Sequence, residues 1–170
     1  TYEDTLHVFN PSTRARDTFF TNQPLVVDAV FDPLRQTYWL ATLNGLYFLK
    51  QDSGKWQLKR VEGIGDGNIM GIEMNGEKEI WMSGANGIQH YDISMNKVRT
   101  LLLSDGIQGL EFRLDASLAA KDGTLYFGGS NGITWFDPGD IKPTVALPET
   151  KIVRCLVNGT ERPESQFSAL

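Results

Sequence analysis

One phrase recurs three times along this chain. Leu40–Gln51 reads LATLNGLYFLKQ, Met82–Ile93 reads MSGANGIQHYDI, and Phe127–Pro138 reads FGGSNGITWFDP. Aligned on Asn44-Gly45, Asn86-Gly87 and Asn131-Gly132, the copies are 42 and 45 residues apart. An aromatic residue stands five positions before each Asn (Trp39, Trp81, Tyr126), and Leu46, Ile88 or Ile133 stands two after it. Leu49, Tyr91 or Phe136 follows at the fifth position. A fainter copy, TLHVFN, lies one period upstream, with Asp4-Thr5 in the place of Asn-Gly.

The physics of one unit is readable. Asn-Gly between two β-rich runs predicts a tight hairpin with a type I′ turn, in which both central residues take φ > 0. Upstream of each hairpin lies another strand candidate, within LVVDAVF, NIMGIEM or RLDASLA. It is joined to the hairpin by a turn at Asp32-Pro33, Asn75-Gly76 or Asp122-Gly123. A more polar strand follows in WQLKRV and KVRTLLL, suited to a solvated edge. Four short antiparallel strands recurring every 40 to 45 residues mark β-propeller blades. The expected fold is therefore all-β: a partial propeller of about three four-stranded blades plus part of another.

Blades crowd at the ring axis, so the inner strands should carry small residues there; Ala29, Gly71 and Ala116 fit. Since one sheet cannot bury both faces alone, the repeat implies stacking, with Trp39, Trp81 and Tyr126 filling the space between neighbours. Trp135 and Phe136 are adjacent on a strand, so they point to opposite faces, one buried and one less so.

After Pro138 the repeat stops and prolines 143, 148 and 163 punctuate the chain. Residues 1–140 are expected to form the blades. Residues 141–170 are expected to form a linker and the first strand or strands of a truncated β-sandwich, within TKIVRCLVNG and its Asn-Gly turn. The chain reads as a piece of a longer protein.

The blade motifs resemble the two-component regulator propeller repeat. EIWMSGANGIQHYD and TLYFGGSNGITWFDP follow its order of strand, turn and aromatic-Asp ending, the latter as in the last blade before a tyrosine-rich immunoglobulin-like domain. SDGIQGLEF (Ser104–Phe112) and EGIGDGNI (Glu62–Ile69) match the phrase that introduces each blade. Leu110, Arg113 and Ala41 depart from the pattern, so no ligand contact carries over. The resemblance implies a periplasmic sensor region of a bacterial inner-membrane receptor, homodimeric at full length. Its output would be a histidine kinase, often fused to a response regulator, or a diguanylate cyclase. In gut Bacteroidetes members the ligand is often an oligosaccharide. The remaining blades of the same receptor would be partners, and this segment would not itself touch the membrane.

Other function classes find little support. A net charge of −5 without a basic run argues against nucleic acid. Cys155 stands alone, and His7 and His90 are the only histidines, so no metal site or cofactor is expected. GGSNG (Gly128–Gly132) satisfies G-x-S-x-G, but that motif needs a helix after its serine and a β-rich run follows Ser130. Asp32, Asp66, Asp105 and Asp122 read as turn residues that bond local backbone. Asn158-Gly-Thr160 reads as a chance sequon. An enzyme would need convergent carboxylates or histidines at one mouth of the ring. A protein-interaction platform would be told apart by a gene lacking a signal peptide and membrane span. Ligand-binding candidates are the segments entering the inner strands, Asp66–Asn68 and Glu111–Arg113, with Asn68, Glu111 and Arg113 foremost. Arg113 suits a carboxylate or sugar hydroxyl; its ordinary alternative is an ion pair with Glu111 or Asp115.

Overall fold

The computed structural model describes residues 5–20, 25–65, 67–141, 155–158 and 160–162. Strands β1 (Thr5–Phe9) and β2 (Arg16–Phe20) form a hairpin. The first full sheet runs β3 (Val26–Asp32), β4 (Thr37–Thr42), β5 (Gly45–Asp52), β6 (Lys55–Arg60) in chain order. The second does the same with β7 (Ile69–Asn75), β8 (Glu79–Gly84), β9 (Gly87–Asp92) and β10 (Lys97–Leu101). The third holds β11 (Phe112–Ala119), β12 (Leu125–Gly129) and β13 (Gly132–Phe136). A small hairpin, β14 (Cys155–Val157) with β15 (Thr160–Arg162), completes the described elements. All pairings between the described strands are antiparallel, so the all-β expectation of blade-like meanders followed by a smaller sheet is met. β1 begins where the faint upstream copy places the residue after its turn, and pairs with β2 as β5 does with β6. The third sheet has no described counterpart of β6 and β10; a 3₁₀ turn at Pro138–Asp140 follows β13 instead.

The hairpin turns correct the type I′ expectation. The strands close on Thr42↔Gly45, Gly84↔Gly87 and Gly129↔Gly132. The two-residue loops are therefore Leu43-Asn44, Ala85-Asn86 and Ser130-Asn131. Gly45, Gly87 and Gly132 take φ of 103°, 108° and 124°, whereas none of the three Asn residues has positive φ. The unit pairs an asparagine whose φ is not positive with a glycine that alone absorbs the reversed φ.

The sheets stack through the recurring aromatics. Between the first and second sheets Trp39, Ala41 and Leu46 meet Ile69, Ile72, Ile80, Met82 and Tyr91, with Trp39 edge-on to Tyr91 at 6.1 Å. Between the second and third, Trp81, Ile88 and Leu101 meet Phe112, Leu125 and Phe127. Tyr126 does not complete the series. It is half-buried, on a face of the third sheet that no described sheet covers. Trp135, its cross-strand partner, is 67% exposed, while Phe136 turns inward beside Trp81, the opposition expected of the pair.

β3, β7 and β11 are the strands that approach one another, and crowding there is real at Gly71. A Cβ on it would stand 2.8 Å from Ser117 Oγ. Ala29, by contrast, is exposed, so packing does not dictate its small size. Asp28 occupies the position matching Gly71: it pairs with Ala41 as Gly71 pairs with Ser83.

Candidate functional site

Each inner strand begins with an irregularity in register, between Val26 and Asp28, Ile69 and Gly71, and Phe112 and Ser117. Bulges of this kind re-aim side chains at the end of a sheet. In β7 Met70 falls within that irregularity and lines a cleft with Glu111, Phe112 and Arg113. In β11 Asp115 takes φ 53°. The segment before β11 is laced to two successive hairpins at once. Gly87 N–H donates to Leu110 O at 3.0 Å, and Ser130 N–H to Glu111 O at 3.1 Å. Gln108 adds two bonds: its N–H donates to Thr134 Oγ1 at 3.0 Å, and its Oε1 accepts Asn131 N–H at 3.1 Å. The backbone of residues 108–111 is thus fixed, while the Glu111 and Arg113 side chains are exposed.

These elements form an open cleft of about 230 Å³ between the second and third sheets, lined by Met70, Ala85, Glu111, Phe112, Arg113 and Ser130. The structure brings Glu111 and Arg113 together there. Asn68 lines a neighbouring cavity of about 20 Å³, room for roughly one water, and Ala85 borders both. Asp66 lies outside the described residues. Among the described residues Arg113 makes no ion pair with Glu111 or Asp115, against that expectation, and it lines the cleft. Phe112 lies within the candidate segment Glu111–Arg113, whereas sequence reasoning missed Met70, Ala85 and Ser130 as lining residues. The signal for two of them was present: Ala85 and Ser130 hold the same repeat position, immediately before the turn asparagine.

The chemistry available is binding chemistry. Arg113 offers a planar fork of donors, Glu111 an acceptor and Ser130 a hydroxyl. The volume falls below the ~300–1,000 Å³ of drug-sized pockets, which suits one ring or one charged group of a larger ligand. Ser130 sits on a hairpin turn that runs into β13, not into a helix. His90 stacks on Trp81 with centroids 4.4 Å apart, and His7 Nδ1 lies 3.1 Å from Thr18 Oγ1; each serves its own sheet. The described residues hold no cluster of three metal-ligating side chains. Asp105 and Asp122 accept Leu102 N–H and Thr124 N–H, the local role expected of them.

No family model matches the chain. Its fold matches that of the extracellular domain described as a hybrid two component system protein, BT3049, from B. thetaiotaomicron. The TM-score is 0.72 at 21% identity, over 98% of this chain and 24% of that one. A second such extracellular domain, BT4673 of the same organism, gives 0.61 at 16% identity, over 76% of this chain and 18% of that one. In sequence, the chain is 25% identical over 114 residues to "Histidine kinase P4" of Formosa agariphila, covering 64% of this chain and 8% of that protein. The chain thus spans under a tenth of the kinase and about a quarter of the BT3049 structure. It has the fold of extracellular domains of two-component systems. Among the described residues no helix is long and apolar enough to cross a membrane.

Proposed function

We propose that this chain is part of the periplasmic sensor region of a bacterial inner-membrane receptor of the two-component histidine kinase type. The observation that supports the reading is the match over 98% of the chain to an extracellular domain described as that of a hybrid two component system. The motif order in EIWMSGANGIQHYD and TLYFGGSNGITWFDP supports the finer assignment to the two-component regulator propeller repeat. Residues 1–140 are its terminal blades, and 141–170 lead into an immunoglobulin-like domain. The segment is non-catalytic and uses no cofactor. The bare face of the third sheet, with Leu118, Tyr126 and Trp135 in one cross-strand row, is taken by a further blade of the same receptor. The receptor acts as a homodimer whose two packings differ with ligand.

The ligand is an oligosaccharide or another small polar molecule, and the cleft beside Glu111 and Arg113 holds one unit of it, with Asn68 nearby. The test is thermal-shift screening of the whole ectodomain against glycans and acidic metabolites. A midpoint rise that Arg113→Ala and Glu111→Ala abolish supports the site. A rise that both variants retain moves the site elsewhere, and no rise with any sugar removes the oligosaccharide reading. Reading the full gene tests the rest: a membrane span followed by a kinase is expected. A cyclase there would change the output, and a stop soon after Leu170 would overturn the receptor.

A further inference from the structure

One side chain of the first sheet reaches both strands that wall the cleft without lining the cleft itself. Asp28 of β3 extends its carboxylate to the inner strands of the other two sheets. Its Oδ2 accepts the Ile72 N–H of β7 at 2.9 Å and lies 3.5 Å from Ser117 Oγ of β11. Its Oδ1 accepts the N–H of its own neighbour Ala29 at 2.7 Å. Among the described residues no Lys or Arg forms an ion pair with Asp28, so this carboxylate is held by N–H and O–H groups.

The strand order explains why these donors need it. Among the described strands β3 pairs only with β4 and β7 only with β8, so the N–H groups along their other edges have no ladder partner. Ala29 is exposed and water can serve its N–H, but Ile72 is buried. A buried N–H deprived of its acceptor bears the full desolvation penalty. The contact with Ser117 passes over Gly71, where a Cβ would stand 2.8 Å from Ser117 Oγ. The bare Cα thus lets the first and third sheets meet across the second. Gly71 also holds the position in β7 that Asp28 holds in β3, so the unit's fold does not itself demand a carboxylate there.

We infer that Asp28 is a positioning residue for the cleft, fastening β7 and β11 to the first sheet just beyond the cleft's walls. Met70 and Arg113 both line the cleft. Ile72 follows Met70 by two residues, and Ser117 follows Arg113 by four. Met70 and Arg113 fall inside the register irregularities, between Ile69 and Gly71 and between Phe112 and Ser117. There the ladder to the neighbouring strand is interrupted. Segments loosened from their own sheets take their placement from an outside anchor, and the Asp28 carboxylate supplies it. The link to Ile72 dominates, because 2.9 Å is an ordinary N–H···O length whereas 3.5 Å is long for a hydroxyl. The anchor bears on sensing only where the cleft binds ligand, but its existence does not depend on that reading.

The test needs no ligand, so it stands or falls apart from the sensor reading. NMR of the unsubstituted chain should show a through-hydrogen-bond coupling between the Ile72 amide nitrogen and the Asp28 carboxyl carbon. Its absence overturns the anchor, and this readout covers variants that fail to fold. Asp28→Ala should speed hydrogen exchange of the Ile72 amide by about tenfold or more, and it should move the Met70 methyl resonance. Asp28→Asn keeps one acceptor oxygen and should restore most of both. Leu58→Ala, in the cluster on the other side of the first sheet, controls for general loosening and should leave the Met70 signal in place. Unchanged Ile72 exchange or an unmoved Met70 signal in Asp28→Ala overturns the positioning role. So does a failure of Asp28→Asn to restore either, or an equal Met70 shift in Leu58→Ala.

Discussion

The Trp81 ring of β8 lies 4.9 Å from the Phe136 ring of β13, across the seam between two sheets. Trp81 is 1% exposed and packs with Leu125 and Phe127 from the far side. Removing it opens a void that two rigid sheets cannot close. Trp81→Ala should cost about 3–5 kcal/mol by urea unfolding. Tyr126→Ala, at the same repeat position on the uncovered face, should cost under about 1 kcal/mol.

The hairpin geometry separates the two halves of each Asn-Gly pair. At Gly87 a Cβ would collide with the Leu101 carbonyl, and φ is already 108°. Gly87→Ala should destabilise by more than about 2 kcal/mol. Asn86→Ala, at ordinary φ, should cost less than about 1 kcal/mol. Equal losses in the two variants, read from thermal unfolding, would contradict the turn assignment.

Asp32 gives an acid limb. Its burial alone would raise the carboxyl. The Arg35 side chain at 2.8 Å, the Arg35 N–H at 2.9 Å and the Trp39 indole at 3.4 Å outweigh that and hold it below the ordinary 3.8. A lowered carboxyl contributes stability that is full above its unfolded value and lost as pH falls through the folded one. Asp32→Asn should cost about 1–3 kcal/mol at pH 7, and the deficit should shrink below pH 3.8. Urea midpoints between pH 2 and 7 check it.

The open face of the third sheet makes a prediction that depends on context. Trp135→Glu should change the unfolding free energy of this chain by less than about 0.5 kcal/mol, because the ring is exposed here. In the full ectodomain, with a further blade seated there, the same change should cost about 2 kcal/mol or more. Parallel denaturation of the two proteins reads the difference.

Much of the fold was legible because it repeats. Three copies of one phrase specify two strands and the turn between them, and Trp39 and Trp81 take the seams their spacing implies. The aromatic column did not reveal that Tyr126 has no seam to fill, since that depends on a neighbour and not on Tyr126. The candidate site was legible only in part. Glu111 and Arg113 were reachable as the entry to an inner strand. Met70, Ala85 and Ser130 are far from them in sequence and close only because two hairpins and a bulge converge.

The amino-acid order alone determined the local units, because φ preference, alternation and turn chemistry act over a few residues. It also determined that the units must stack, because each leaves an apolar face. Tertiary structure decided that the turn glycine alone bears the reversed φ, where the cleft lies, and that Asp28 meets Ser117 and the Ile72 N–H from two other sheets. Those outcomes depend on distances between strands dozens of residues apart, which neither propensity nor spacing encodes.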